Sequence, residues 1–311
     1  MQIFRNFAVF LVAGFVVMLF ISYTFEEDVA PTVVKDASIA DGENELLPQV
    51  IKSVPLDKGY AFAGESVPVD NFDVYERLDR EMLVNSYWHS STVLNIKAAN
   101  RYFPVIEPIL AEEGIPDDFK YLAVIESNLR NETSPAGARG LWQFLKSIGS
   151  YYGLEINDEV DERLNVEKST LAACKYLKDS KRKFGSWTLA AAAYNMGDTR
   201  LRKELDQQKA DNYYDLNLND ETSRYVFRIL AVKEILQDPQ AFGFIIDPQH
   251  LYEPLDKYQV VEVDKGITDL GDFAQEHGIT YRMLKVYNPW LRTGKLTNKT
   301  GKTYQIKIPG S

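Results

Sequence analysis

Cysteine occurs once in 311 residues, at Cys174. No disulfide can close within the chain, and no thiolate metal site can be built. Its place in a helical apolar pattern marks Cys174 as a small buried apolar residue. Histidine is nearly as scarce, and His89, His250 and His277 lie far apart. Zinc motifs, phosphate loops and GxSxG elbows are all missing, so no metal and no cofactor is expected. Basic charge is also short. Lys and Arg number 35 against 45 Asp and Glu, the formal net charge is −10, and no basic stripe stands out. That argues against nucleic acid as a partner. Any anionic polymer has to be gripped by local groups.

What remains is ordinary globular material, 45% apolar and 26% charged, in a chain long enough for two domains plus extensions. Arg5 precedes an apolar run from Phe7 to Ile21, extended to Phe25, and Glu26, Glu27 and Asp28 follow. This reads as a signal peptide or signal anchor over 1–25. Arg5 before the run and acids after it orient the remainder outside the cytoplasm. The protein is then anchored by residues 7–25 or secreted after cleavage. No cysteine follows the run, which excludes a lipoprotein signal. Residues 26–70, acidic and carrying Pro31, Pro48 and Pro55, read as a flexible linker.

Helical periods dominate 71–240, with helices expected near 72–85, 90–112, 117–128, 141–151, 167–184, 186–196, 198–208 and 221–237. Pro104 and Pro108 are expected to break or kink the second. Residues 241–255 read as a connector. The remaining 256–311 changes character, with strands at 258–263 and 302–309 flanking two short helices. The fold class is an all-α domain followed by a small β-α-α-β domain, in a chain expected to be monomeric.

In the stretch YLAVIESNLR, a helix from Asp117 puts Phe119, Leu122, Glu126 and Leu129 on one stripe. A carboxylate there is costly unless paired or protonated. Either Glu126 pairs with Arg130 or Arg139, or sits at the stripe's edge, or it is a neutral acid able to donate a proton.

Three further stretches carry candidate chemistry. In NETSPAGARGLWQF, 131–144, a Gly- and Pro-bearing loop leads into a helix at Leu141. Ser134 and the loop N–H groups could line a polar ligand, Gln143 offers both a donor and an acceptor, and Trp142 and Phe144 offer apolar faces. Plain core packing accounts for Trp142 equally simply. In LAAAAYNMGD, Tyr194 and Asn195 stand at a helix end before Gly197, either facing a cleft or serving as a cap. In ETSRYVFRIL, Tyr225 opens an amphipathic helix, and a tyrosine beside a carboxylate can set its protonation.

Taken in order, Glu126-Ser127, Ser134-Pro135-x-Gly137-Ala138-x-Gly140-Leu141-Trp142-Gln143, Ala193-Tyr194-Asn195-x-Gly197 and Glu221-Thr222-x-x-Tyr225-Val226 resemble the soluble-lytic-transglycosylase family over roughly 100–237. Trp142 resembles its membrane-bound transglycosylase D branch. The resemblance implies a lysozyme-like α fold and a peptidoglycan glycan strand as substrate. It implies Glu126 as catalytic acid/base, Ser134 and Gln143 near the reacting sugar, Tyr194 and Asn195 on the cleft floor, and Tyr225 hydrogen-bonded near the acid. Tyr287-Asn288-Pro289-Trp290-Leu291 and the closing IKIP are similar to a LysM module, a glycan-binding unit. Lys265-Gly266-Ile267-Thr268 departs from its usual Gly-Asp-Thr-Leu.

Ordinary glycosidases use two carboxylates, and no second stripe carboxylate accompanies Glu126, although Glu132 is near in sequence. The family resemblance implies a single-acid route that ends in a 1,6-anhydro ring. A lysozyme-type muramidase and a non-catalytic wall-binding protein are the rival readings.

Overall fold

The computed structural model describes residues 52–310. The expected signal segment and most of the expected linker lie outside them. No helix among the described residues is long and apolar enough to cross a membrane.

The first described element departs from the linker reading. Tyr60–Phe62 (β1) and Glu65–Val67 (β2) form an antiparallel hairpin, and Tyr60, Phe62 and Val67 are buried in the main core. Residues 60–67 are therefore part of the folded body, because their alternate side chains reach a core that composition alone does not reveal.

The helices that follow match the periodic pattern closely. Phe72–Tyr87 (α1) starts at Asn71, whose side chain accepts from Asp73 N–H. His89–Glu112 (α2) runs without interruption through Pro104 and Pro108. The expected break does not occur: the two prolines lie four apart on an exposed face, where carbonyls deprived of their N–H partners meet water. A 3-10 turn at Asp117–Phe119 leads into Lys120–Ser127 (α3), and Lys146–Tyr151 (α4) follows a long loop.

Val166–Phe184 (α5) is capped by Asn165 at its start and by Gly185, at φ 83, at its end. Trp187–Met196 (α6) starts at Ser186, which accepts from Leu189 N–H. Its unbroken alanines, Ala190 to Ala193, are all buried, so neighbouring helices approach closely. Asp198–Gln208 (α7) and Asp220–Gln237 (α8) complete the bundle, with Asn219 capping the latter through Thr222 N–H.

The C-terminal region is the expected β-α-α-β unit. Tyr258–Val263 (β3) pairs antiparallel with Tyr304–Pro309 (β4), from Tyr258 opposite Pro309 to Val263 opposite Tyr304, and Leu270–Glu276 (α9) and Tyr281–Tyr287 (α10) lie between. The connector binds back onto α2. Tyr252 N–H donates to Lys97 O at 3.3 Å, and Arg101 Nε donates to Glu253 O at 2.9 Å. Among the described residues, the helical region and the C-terminal unit belong to one compact body.

Candidate active site

Glu126 lies in the last turn of α3. The helix stops because Asn128 and Leu129 both turn left-handed, at φ 50 and 54. That reversal drops Leu129 into the core beside Leu122 and Phe119, and it sends the chain into the 131–144 loop. Glu126 itself is half-buried. The two arginines that could have neutralised it are engaged elsewhere: Arg130 pairs with Glu132 at 3.3 Å, and Arg139 pairs with Asp161 at 3.0 Å. Among the described residues, no salt bridge reaches Glu126.

Its partner is Tyr225, on α8, whose hydroxyl donates to Glu126 Oε1. Burial pushes the Glu126 carboxyl up to about 7, against smaller opposing effects from the Tyr225 hydrogen bond and the Arg228 charge, while Glu221 adds to the rise. Burial, and then the Glu126 charge, hold the Tyr225 phenol well above its ordinary value, so it stays a donor. With Oε1 accepting from the phenol, Oε2 is the oxygen left free to carry an acid proton.

The 131–144 loop differs from the expected helix entry. Leu141 to Phe144 are not helical, and α4 begins only at Lys146. Tertiary partners satisfy this backbone instead. Ser127 Oγ donates to Leu141 O at 2.9 Å, Tyr194 hydroxyl donates to Trp142 O at 2.7 Å, and Arg139 N–H donates to Phe144 O at 3.1 Å. Trp142 is fully buried and donates to Thr170 Oγ1 at 2.9 Å, so it is a core residue and not an open platform. Gln143 is held at φ 47, unusual for a residue with a side chain, and its amide donates to Gly140 O at 2.8 Å and Glu132 O at 3.2 Å. Ser134 closes the loop tip: its Oγ accepts from Ala138 N–H at 3.1 Å.

Tyr194 is half-buried, and burial followed by the Glu126 charge raises its phenol well above the ordinary value. Asn195 is not a helix cap; Gly197 ends α6 at φ 83. Instead, Asn195 Oδ1 accepts from Thr222 Oγ1 at 2.8 Å, which ties the end of α6 to the start of α8. The structure thus joins Glu126 and Tyr225 directly, with Tyr194 near enough to feel the Glu126 charge, Asn195 linked through α8 and Gln143 held within the loop, while Ser134 bonds only within the loop tip.

Three contributors escaped the sequence reading. Arg228 stands one turn after Tyr225 and donates to Ile125 O at 3.4 Å; the i, i+3 spacing was the available signal. Asp161 and Arg163 are buried and far from any motif. Arg163 Nη1 donates to both Gly137 O and Phe144 O at 3.0 Å, while its Nε and Nη2 form a fork on Asp161 at 2.8 and 2.7 Å.

Residues 104–217 match the family model for the transglycosylase SLT domain. The chain carries a transglycosylase SLT domain. All five candidate side chains from Glu126 to Asn195 fall inside that SLT match, whereas Tyr225 lies beyond its end. Residues 259–311 match the soluble lytic transglycosylase C-terminal LysM-like domain. Two curated relatives, each a membrane-bound lytic murein transglycosylase D, come from Escherichia coli (strain K12) and Escherichia coli O6:H1. Each is 27% identical over 259 residues, covering 80% of this chain and 55% of the relative. The chain spans about half the length of these relatives, and the SLT and LysM-like domains are the parts of it that family models match.

Proposed function

We propose that this protein is a peptidoglycan lytic transglycosylase, cleaving the β-1,4 bond between N-acetylmuramic acid and N-acetylglucosamine without water. The observation that carries the reading is the half-buried, unclamped Glu126, held up to about 7 by burial and oriented by the Tyr225 hydroxyl. The SLT domain and the likeness to murein transglycosylases support the substrate class.

In this reading Glu126 Oε2 delivers its proton to the glycosidic oxygen, and the bond to the leaving N-acetylglucosamine breaks. The substrate's own 2-acetamido group stabilises the oxocarbenium-like centre. Glu126, now a carboxylate, takes the proton of the muramoyl C6 hydroxyl as that oxygen closes on C1. The product is a 1,6-anhydro ring, and the acid is restored by the same group acting in reverse. Tyr225 steadies the carboxylate while it is charged. Gln143, Ser134, Tyr194 and Asn195 line the sugar's path, with Gln143 fixed in a conformation that only its surroundings maintain.

The protein works at the cell envelope, on the periplasmic side, either anchored by residues 7–25 or released after cleavage of that segment. The names of the Escherichia coli relatives, which include "membrane-bound", are consistent with that placement. The chain acts as a monomer.

Digestion of purified sacculi by wild type and Glu126→Gln, followed by product masses, tests the reading. The wild type should release anhydro products, and the variant should lose about two to four decades of rate while still binding glycan. Reducing ends heavier by one water would instead establish a muramidase. Binding without strand cleavage by the wild type would establish a wall-binding protein.

A further inference from the structure

The core of the C-terminal module is shared with the helical region. Val160 and Leu164, from the helical region, are buried in one cluster with Leu284, Trp290, Leu291 and Ile306 of the module. The backbones are joined as well. Val160 and Leu291 form an antiparallel bridge, Asp161 N–H donates to Trp290 O at 2.9 Å, and Arg292 N–H donates to Glu159 O at 2.8 Å.

Acids along the same strip complete the attachment. Glu159 accepts from the Thr297 N–H and hydroxyl, both at 2.6 Å. Glu155 accepts from Lys302 Nζ at 2.7 Å and from the Tyr304 hydroxyl at 2.8 Å, and Lys302 also reaches Glu162 at 3.1 Å.

The other side of this strip carries the active-site loop. Asp161 holds Arg163 and Arg139, and Arg163 binds the carbonyls of Gly137 and Phe144. Gly140 lies so close to Arg163 O that an added Cβ would stand 1.9 Å from it. Residues 155–164 are thus sandwiched, with the module on one side and the loop bearing Ser134 and Gln143 on the other.

We propose that the C-terminal module is a positioning part of the active site, which by docking on residues 155–164 fixes the 131–144 loop against the bound sugar. The inference rests on the functional reading above. Apart from one 3-10 turn and two isolated bridges, the strip has no regular structure. Without the module, Val160 and Leu164 would face water and Asp161 N–H would lose its acceptor. The strip would then sample many conformations, and the loop would follow through Arg163. A displacement of about 1 Å in a binding loop is enough to cost roughly a hundredfold in rate. A module that merely tethers the enzyme to the wall would raise local concentration and leave chemistry on short glycans untouched.

The test uses the full chain and short soluble oligomers of N-acetylglucosamine and N-acetylmuramic acid. Lys302→Glu sets a carboxylate against Glu155 and Glu162, and Leu291→Asp places an acid against Val160. Both variants should raise KM for the short oligomers several-fold, and the charge swap Glu155→Lys with Lys302→Glu should recover much of the loss. Misfolding of a fraction of the molecules would lower kcat and leave KM alone, so the KM change separates positioning from damage. If Leu291→Asp leaves KM for the short oligomers at the wild-type value, the module is a tether and the proposal is overturned. Failure of the functional reading shows separately, as wild type and Glu126→Gln alike leaving the oligomers intact. The variants' affinity for the same oligomers, read by calorimetry, then tests docking on its own.

Discussion

Glu126 and Tyr225 form a unit in which each group sets the other's proton. The phenol, raised by burial and by the facing acid, cannot ionise in the working range. The carboxyl, raised to about 7, is mostly protonated just below neutrality and mostly charged just above it. In the proposed reaction the first step needs the proton, so activity should fall as pH rises through about 7, by roughly tenfold per pH unit once the acid is depleted. Tyr225→Phe tests the coupling. The hydroxyl bond favours the carboxylate form, so its removal should move the alkaline limb of the kcat/KM profile to higher pH, even as the loss of orientation lowers the maximum rate. A limb that stays in place or moves to lower pH would assign it to another group. Glu126 as a candidate was legible from the sequence, because an acid on an otherwise apolar stripe is an anomaly with few explanations. Its choice among those explanations was not, since that depended on Arg139 being taken by Asp161, more than thirty residues along the chain by a count of roughly 35 from Glu126.

The helical elements were legible because their signals are local. Asn165 and Gly185 bracket α5, and Ser186 opens α6, as caps placed where the periodicity starts and stops. The 131–144 loop was not, because its conformation is imposed from outside by Ser127, Tyr194 and Arg163. Leu141, Trp142 and Phe144 are apolar in a pattern that suits a helix, yet each is buried from an irregular backbone. Gly140 is the most exacting position in it. At φ 79, with Arg163 O where a Cβ would go, it tolerates no side chain without a shift of backbone. Gly140→Ala should therefore combine the left-handed penalty with overpacking, about 2–4 kcal/mol together, measured as a fall in thermal or denaturant midpoint. Activity on short glycans should fall further than the midpoint alone explains, because Gln143 bonds to Gly140 O.

On the scale of the whole molecule, the described stretch ahead of α1 is where sequence and structure differ most. Its acidity and prolines read as a linker, but Ala63 and Gly64, at φ 52 and 79, make a tight two-residue turn, and the short strands either side drive Tyr60, Phe62 and Val67 into the core. An alanine at the first turn position hides the hairpin, since Asn or Asp is the residue that usually announces it. The hairpin is bonded to both sides of the site's scaffold. Ala63 N–H donates to Asp118 at 2.6 Å, just ahead of α3, and Glu65 accepts from Trp187 and Thr188 N–H at 2.6 and 2.9 Å at the start of α6. Phe62 packs edge-on against Phe119 at 5.2 Å, and Phe119 packs in the same way against Trp187 at 5.4 Å. This aromatic chain joins the turn that leads into the Glu126 helix to the start of the helix that carries Tyr194. Phe62→Ala should then cost about 3–5 kcal/mol of stability, the range for deleting a buried aromatic, whereas a true linker residue would shift stability by less than about 0.5 kcal/mol. Urea unfolding of the two proteins separates these outcomes, and a change near zero would return residues 60–67 to the linker.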